Sequence, residues 1–220
     1  RGIMYFANNQ GILEYDGINW RNILVTNESS IRSFAIDSNG IIYVGAQGEI
    51  GFLHPDSNGD LKYQSLQNLI PENDRNFDDV WTCYSTNTGV YFQSPQKILC
   101  YRNHAIKTWY AEETQTFHKM FNVYNNLFIR QRSVGLLQLK DDRLMRVPGG
   151  DIFANENIYI MMPFADSAKS KILINTGMRG LYTMDLPDLN SAGNMAANFT
   201  SINPMPTVID PFFYANQVYN

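Results

Sequence analysis

Short apolar and aromatic runs recur along the chain, each opened by a small or polar residue: Gly2-Ile-Met-Tyr5-Phe6, Gly40-Ile-Ile-Tyr43-Val44, Gly89-Val-Tyr91-Phe92, Asn126-Leu-Phe128-Ile129 and Lys171-Ile-Leu173-Ile174. A polar break follows each run, and then a second strand-like segment: Gly11–Tyr15, Gly51–Leu53, Lys97–Tyr101, Gly135–Leu139 and Gly180–Met184. Runs of this length bounded by turn residues predict β-hairpins. A third, less regular segment closes several units, at Asn19–Ile23, Leu61–Leu66 and Arg143–Val147. A further strand precedes each hairpin, beginning at Ile31, Val80, Phe117, Ile158 and Val218.

The steps between those starts are 49, 37, 41 and 60 residues, with a mean near the roughly 40–50 residues of a four-stranded propeller blade. No stretch carries a helical apolar stripe. The pattern therefore predicts an all-β chain, a β-propeller of about five four-stranded antiparallel blades. One meander cannot bury both its faces, whereas neighbouring blades cover each other. The expected units are 1–29, 30–78, 79–115, 116–156 and 157–206 of a single domain, with 207–220 as a terminal inner strand. The chain opens on the second strand of a unit and closes on a first strand, Asn216-Gln-Val-Tyr219. Two readings follow: that strand completes the opening blade in a closed five-bladed ring, or the chain is an arc of a larger, seven-bladed propeller.

Composition narrows the function classes. The 220 residues are 44% hydrophobic and 13% aromatic, enough for a sizeable core. Only 17% are charged, while 24 are Asn, a mixture that suits strands joined by Asn and Gly turns. A formal charge of −4 with no run of three Lys or Arg gives no basis for phosphate-driven nucleic-acid binding. No window matches the eighteen or so apolar residues of a membrane span, so no membrane contact is expected of this segment. Arg1-Gly2-Ile3-Met4 is neither an initiator nor a secretion signal, and the chain reads as excised from a longer one. Cys83 and Cys100 each lie in an apolar run, where a buried free thiol is the expected state.

The segments Gly2–Gly17, Ser30–Ala46, Asn157–Phe164 and Ile172–Tyr182 resemble the two-component regulator propeller repeat, and the resemblance touches most of the chain, most weakly at 67–79 and 185–208. It implies the extracytoplasmic, periplasmic sensor of a membrane-anchored hybrid histidine kinase or related regulator, of a kind common in Bacteroidetes. It also implies a following three-tyrosine β-sandwich and signalling domains as partners in the full-length protein, and a glycan or glycan fragment as ligand. Five recognisable units against the family's usual seven is a departure, and it bears on ring closure and on any composite pocket.

In a propeller the inner strand of each blade lines the central channel, so its second residue is the position to compare. That residue is Arg32, Trp81, His118, Tyr159 and Tyr219, each after an apolar one. All are large with a polar handle or a flat face, suited to stacking on a sugar or bonding a carboxylate; packing between blades is the alternative role. A second group comes from the hairpin turns: Asn8, Gln47, Arg130, Arg132 and Arg179. Paired arginine donors suit planar acids such as uronates, and solvated turn arginines are the plain alternative.

Catalytic and metal templates are missing. His54, His104 and His118 are scattered, and neither cysteine has a neighbour at ligand spacing, so neither a metal nor any other cofactor is expected. Gly45-Ala-Gln-Gly48-Glu-Ile-Gly51 is flanked by strands and predicts a hairpin turn, not a phosphate loop. Asp56-Ser-Asn-Gly-Asp60 lacks the distal Glu of a calcium loop and predicts an Asx turn. Glycoside hydrolysis needs two channel carboxylates, and the inner-strand starts offer only Asp79 on a neighbouring loop. Glu112-Glu113 and Asp141-Asp142 sit on polar connections. The expected class is a non-catalytic ligand-binding sensor. A protein-interaction propeller, facing another domain or a dimer mate, and a five-bladed glycosidase are the alternatives.

Overall fold

A computed structural model of the chain describes residues 2–112, 114–166, 169–185 and 199–202. Two compact units divide it, Arg1–Met120 and Phe121–Asn220, and each is described by itself.

In the first unit, β1 (Met4–Asn8), β2 (Gly11–Tyr15) and β3 (Trp20–Ile23) form a three-stranded sheet. β4 (Ile31–Ile36), β5 (Ile42–Ala46), β6 (Glu49–Pro55) and β7 (Leu61–Ser65) form a four-stranded one. So do β8 (Thr82–Thr86), β9 (Gly89–Gln93), β10 (Lys97–Arg102) and β11 (Ala105–Tyr110). The second unit holds two more four-stranded sheets. One is β12 (Phe117–Val123), β13 (Asn126–Gln131), β14 (Gly135–Lys140) and β15 (Arg143–Arg146), with the division between units falling inside β12. The other is β16 (Ile158–Asp166), β17 (Lys169–Thr176), β18 (Leu181–Asp185) and β19 (Phe199–Ile202). Every sheet is a meander in which sequence neighbours pair antiparallel, the propeller-like unit that the sequence periodicity predicts.

Turn chemistry sets the hairpins. Tyr124-Asn125, Asn103-His104 and Asp141-Asp142 are two-residue connections with both φ values between 49° and 61°, the left-handed pair that matches the strand twist. Asn, Asp and His tolerate that region better than most residues. Asp56 Oδ1 accepts the main-chain N–H of Asn58 at 2.9 Å and of Asp60 at 3.0 Å, which is the Asx turn the sequence suggests. Gln47-Gly48 links β5 to β6, so the glycine-rich segment is a hairpin turn.

The core is made between sheets. Ile12 and Ile23 of the first sheet pack with Ile42, Val44, Ala46 and Leu53 of the second. Ala35, Tyr43 and Ile50 from the other face of the second sheet pack with Val80, Cys83, Val90, Phe92 and Leu99 of the third. In the second unit Phe128 and Leu136 meet Ile172, Ile174 and Met184. Alternation along each strand hands one face to each neighbour. Cys83 and Cys100 are buried free thiols.

The opening sheet has three strands among the described residues, in keeping with a chain that opens on the second strand of a unit, and one strand expectation is corrected. β8 begins at Thr82, not Val80: the Val80 N–H donates to Ala46 O at 3.1 Å, toward the preceding sheet. The terminal strand from Val218, the Tyr219 position and the ring closure that rests on them lie outside the described residues.

Candidate functional site

Four of the five aligned channel positions can be placed. In each case the preceding apolar residue is buried: Ile31, Val80, Phe117 and Ile158. The following residue escapes the core for a visible reason at two of them. On β4 the register shifts between Ile31, opposite Ala46, and Ser33, opposite Gly45. On β16 it shifts between Ile158, opposite Thr176, and Ile160, opposite Asn175. Arg32 and Tyr159 are thus the extra residues of bulges, which turn a side chain away from the regular alternation. Trp81 lies just ahead of β8 and is 53% exposed. His118 is half-buried on β12.

The structure joins Arg32 and Trp81, which are 49 positions apart in sequence. The junction of the second and third sheets does this. Ser33 Oγ donates to Val80 O at 2.6 Å, and Gln47 bridges Asp79. Gly45 is needed here, since a Cβ on it would stand 2.5 Å from Ser33 Oγ and 2.6 Å from Val80 Cγ1. Asp79 is thereby brought under Arg32, whose Nε donates to Asp79 Oδ1 at 2.7 Å. The guanidinium carbon stands 4.9 Å from the centre of the Trp81 ring, within cation–π range. Among the described residues, Nε is the only Arg32 nitrogen that bonds to protein. The terminal pair of a planar fork is left for another acceptor. Gln47 lies exposed in the adjoining turn, its own carbonyl held by Asn27 Nδ2 at 3.0 Å and Ser29 Oγ at 2.9 Å. Nearby, Gln96 Nε2 donates to Asp78 Oδ2 at 2.9 Å.

The arginines expected in turns separate. Arg130 lies on β13 and is 3% exposed. Its Nε donates to Phe153 O at 3.3 Å and its Nη2 to Ala154 O at 2.9 Å, tying down the segment that enters β16. Burial, and then the like charge of Arg132, lowers its pKa from the ordinary arginine value. Arg132 is exposed in the three-residue turn before β14. Arg179 is exposed as well, and its Nη1 donates to Ile152 O at 3.5 Å. Asn8 ends β1, half-buried opposite Gly11.

Two polar clusters were not visible in the sequence. Asp74 is buried and accepts Tyr110 Oη at 2.8 Å on each oxygen, with Lys97 Nζ at 3.3 Å. Burial alone would raise its pKa, but the hydrogen bonds from Tyr110, Thr108 and Lys97 outweigh it and hold the carboxyl below its usual value. Glu49 is also buried, and its Oε1 accepts Tyr63 Oη, Ser65 Oγ and the Ile50 N–H. There burial dominates and raises the pKa.

No family model matches the chain, and no curated protein matches it. Among solved structures, it is similar to the extracellular domain of a candidate one-component system, BT4673 of B. thetaiotaomicron, with a TM-score of 0.62 and 18% identity over 82% of this chain. It also aligns with the extracellular domain of a candidate hybrid two-component system, BT3049 of the same organism, at a TM-score of 0.30 and 10% identity over 84% of this chain. The chain spans 26% and 36% of those two proteins' lengths. The first likeness shows a shared fold.

Proposed function

We propose that this chain is the ligand-recognising part of a β-propeller in the periplasmic sensor of a membrane-anchored signal-transduction regulator, and that it binds a glycan or glycan fragment without turning it over. The observation that carries the reading is the Arg32–Asp79–Trp81 group: an arginine fork fixed by a carboxylate on one nitrogen, stacked on a half-exposed indole, with its outer donors unused by the fold. An exposed aromatic ring beside charged donors and acceptors suits a sugar, which offers C–H faces to the ring and hydroxyl or carboxylate groups to the fork. The shared fold with an extracellular domain of a one-component candidate supports the sensor class. Tyr159, His118, Gln47, Asn8, Arg132 and Arg179 are further contact candidates, as is Tyr219, whereas Arg130 serves the main chain with two of its nitrogens.

Isothermal calorimetry against neutral and acidic oligosaccharides tests this. Binding by the wild-type chain that falls at least tenfold in Trp81→Ala and in Arg32→Gln is the expected result. A well-folded chain that binds none of the panel, or whose binding ignores both substitutions, refutes the site. A protein-interaction role has one observation in its favour, the exposed aromatic face of the first sheet.

A further inference from the structure

The Arg32–Asp79–Trp81 group sits between the second and third sheets, each complete with four strands. Ser33 with Val80 and Gln47 with Asp79 close the strands on each other there, so the group belongs to an internal junction of the first unit. Charge at this junction is one-sided. The segments that meet, 30–33, 45–48 and 78–81, carry one cation, Arg32, against two acids, Asp78 and Asp79. Gln96 reaches in with an uncharged amide, its Nε2 on Asp78 Oδ2 at 2.9 Å. The next residue, Lys97, is engaged elsewhere: its Nζ stands 3.3 Å from Asp74 Oδ1 and donates to the carbonyls of Asp74 and Asn76 at 3.0 and 3.1 Å.

Arg32 and Asp79 are neither buried nor fully open, with side chains 28% and 21% exposed. Their mutual bond uses Nε and Oδ1. Among the described residues, the terminal nitrogens of Arg32 and the Oδ2 of Asp79 bond to no protein group, which leaves donors side by side with an acceptor. A carboxylate or sulfate is acceptor only, so it would suit the fork but meet Asp79 Oδ2, and Asp78 beyond, with like charge. An ammonium is donor only and would meet the guanidinium in the same way. A hydroxyl both donates and accepts. Two hydroxyls on adjacent ring carbons therefore satisfy the pair, one accepting from a terminal nitrogen and its neighbour donating to Oδ2. Each of these bonds has one charged partner, which makes it stronger than a bond between neutral groups, and the sugar adds no charge to a junction that is already net negative. The guanidinium covers one side of the indole at 4.9 Å, and Trp81, 53% exposed, keeps the rest of its ring for the C–H face of the same sugar.

Resting on the reading of this group as a sugar site, we infer that its ligand is a neutral glycan held through a vicinal diol, and that the same group rejects acidic sugars. The charge of Arg32 holds Asp79 in place and strengthens a donor; it does not select an anion.

Calorimetry on the whole chain tests this with oligosaccharides of glucose, galactose and mannose, each paired with the corresponding oligouronate. The wild type is expected to bind a neutral member, with Kd changing less than about twofold between about 50 and about 500 mM NaCl, because the ligand brings no charge to be screened. Its uronate counterpart is expected to bind about tenfold more weakly, from like-charge repulsion. Asp79→Asn is expected to weaken the neutral ligand about tenfold, by putting a donor where the diol needs an acceptor, and to raise the affinity of the uronate. The paired sugars and the salt series need only the wild type, so they decide the matter even if Asp79→Asn fails to fold. A preferred uronate whose affinity falls steeply with salt overturns this inference and leaves the sugar site standing. So does a neutral ligand that binds Asp79→Asn as well as it binds the wild type. A folded wild type that binds no member of the panel overturns both.

Discussion

Gly45 and Arg130 occupy the same place in two different sheets. Each stands opposite the first apolar residue of the following strand, Ile50 in one case and Leu136 in the other. At Gly45 the missing side chain lets Val80 and Ser33 close directly over the strand. At Arg130 the side chain fills the corresponding space and bonds the carbonyls of Phe153 and Ala154. One junction is sealed by contact between strands, the other by an arginine used as a main-chain clamp. The residue type at a site therefore says less than the number of its donors the fold has already used. Arg32 has one nitrogen committed, at half-buried depth, and Arg130 has two, in the core.

That contrast can be broken from either side. Arg130→Ala removes buried volume and one of the donors to each of two carbonyls, which keep the main-chain N–H groups of Glu156 and Ser133, and should cost about 3 kcal/mol in chemical denaturation, most of it from the lost packing. An unchanged midpoint would show the clamp to be idle. Gly45→Ala puts a methyl group against Ser33 and Val80 and should cost about 2 kcal/mol, while Ser33→Ala in the same background should recover part of the loss.

Asp74 and Glu49 sharpen the comparison at the level of charge, because two buried acids respond to pH in opposite directions. Asp74 titrates below its ordinary value of 3.8, so its contribution is present above that pH and lost as the pH falls through the folded-state pKa. Asp74→Asn should cost about 1–2 kcal/mol at pH 7 and flatten the acid limb of the stability profile. Glu49 titrates above 4.5, so its contribution is full below that pH and is lost as the pH rises through the raised value. Glu49→Gln keeps an acceptor for the three donors, removes the charge, and should raise the melting temperature at pH 7. A lower one would mean that the carboxylate is stabilised by its surroundings. The smallest effect is expected at Arg32→Gln, below about 1 kcal/mol in stability because the pair with Asp79 is part-exposed.

The hairpins were legible because their signals are local: a turn residue, an apolar run and a period near that of a blade. The inner-strand starts were legible for the same reason, and Ile31, Phe117 and Ile158 do begin strands. Trp81 falls outside its ladder because Val80 bonds across to Ala46, a contact between sheets that no strand pattern contains. Arg130 was read as a turn residue, but β13 runs on to Gln131, and a polar residue in the last pleats looks the same whether it ends a strand or begins a turn. Asp79 is visible in sequence as the second of two adjacent acids, Asp78 and Asp79, ahead of an inner strand, and its tie to Arg32 spans 47 positions. The Asp74 network joins residues 23 and 36 positions apart, with no periodicity to announce it.

The bulges at Arg32 and Tyr159 separate two kinds of packing constraint. In a regular strand, exchanging a residue for one of different size disturbs whichever sheet face it occupies. An extra residue belongs to neither face, so its size is free of the constraint that packing places on the apolar neighbour before it. A scaffold that repeats this device can exchange such a side chain, one sheet at a time, without renegotiating its core.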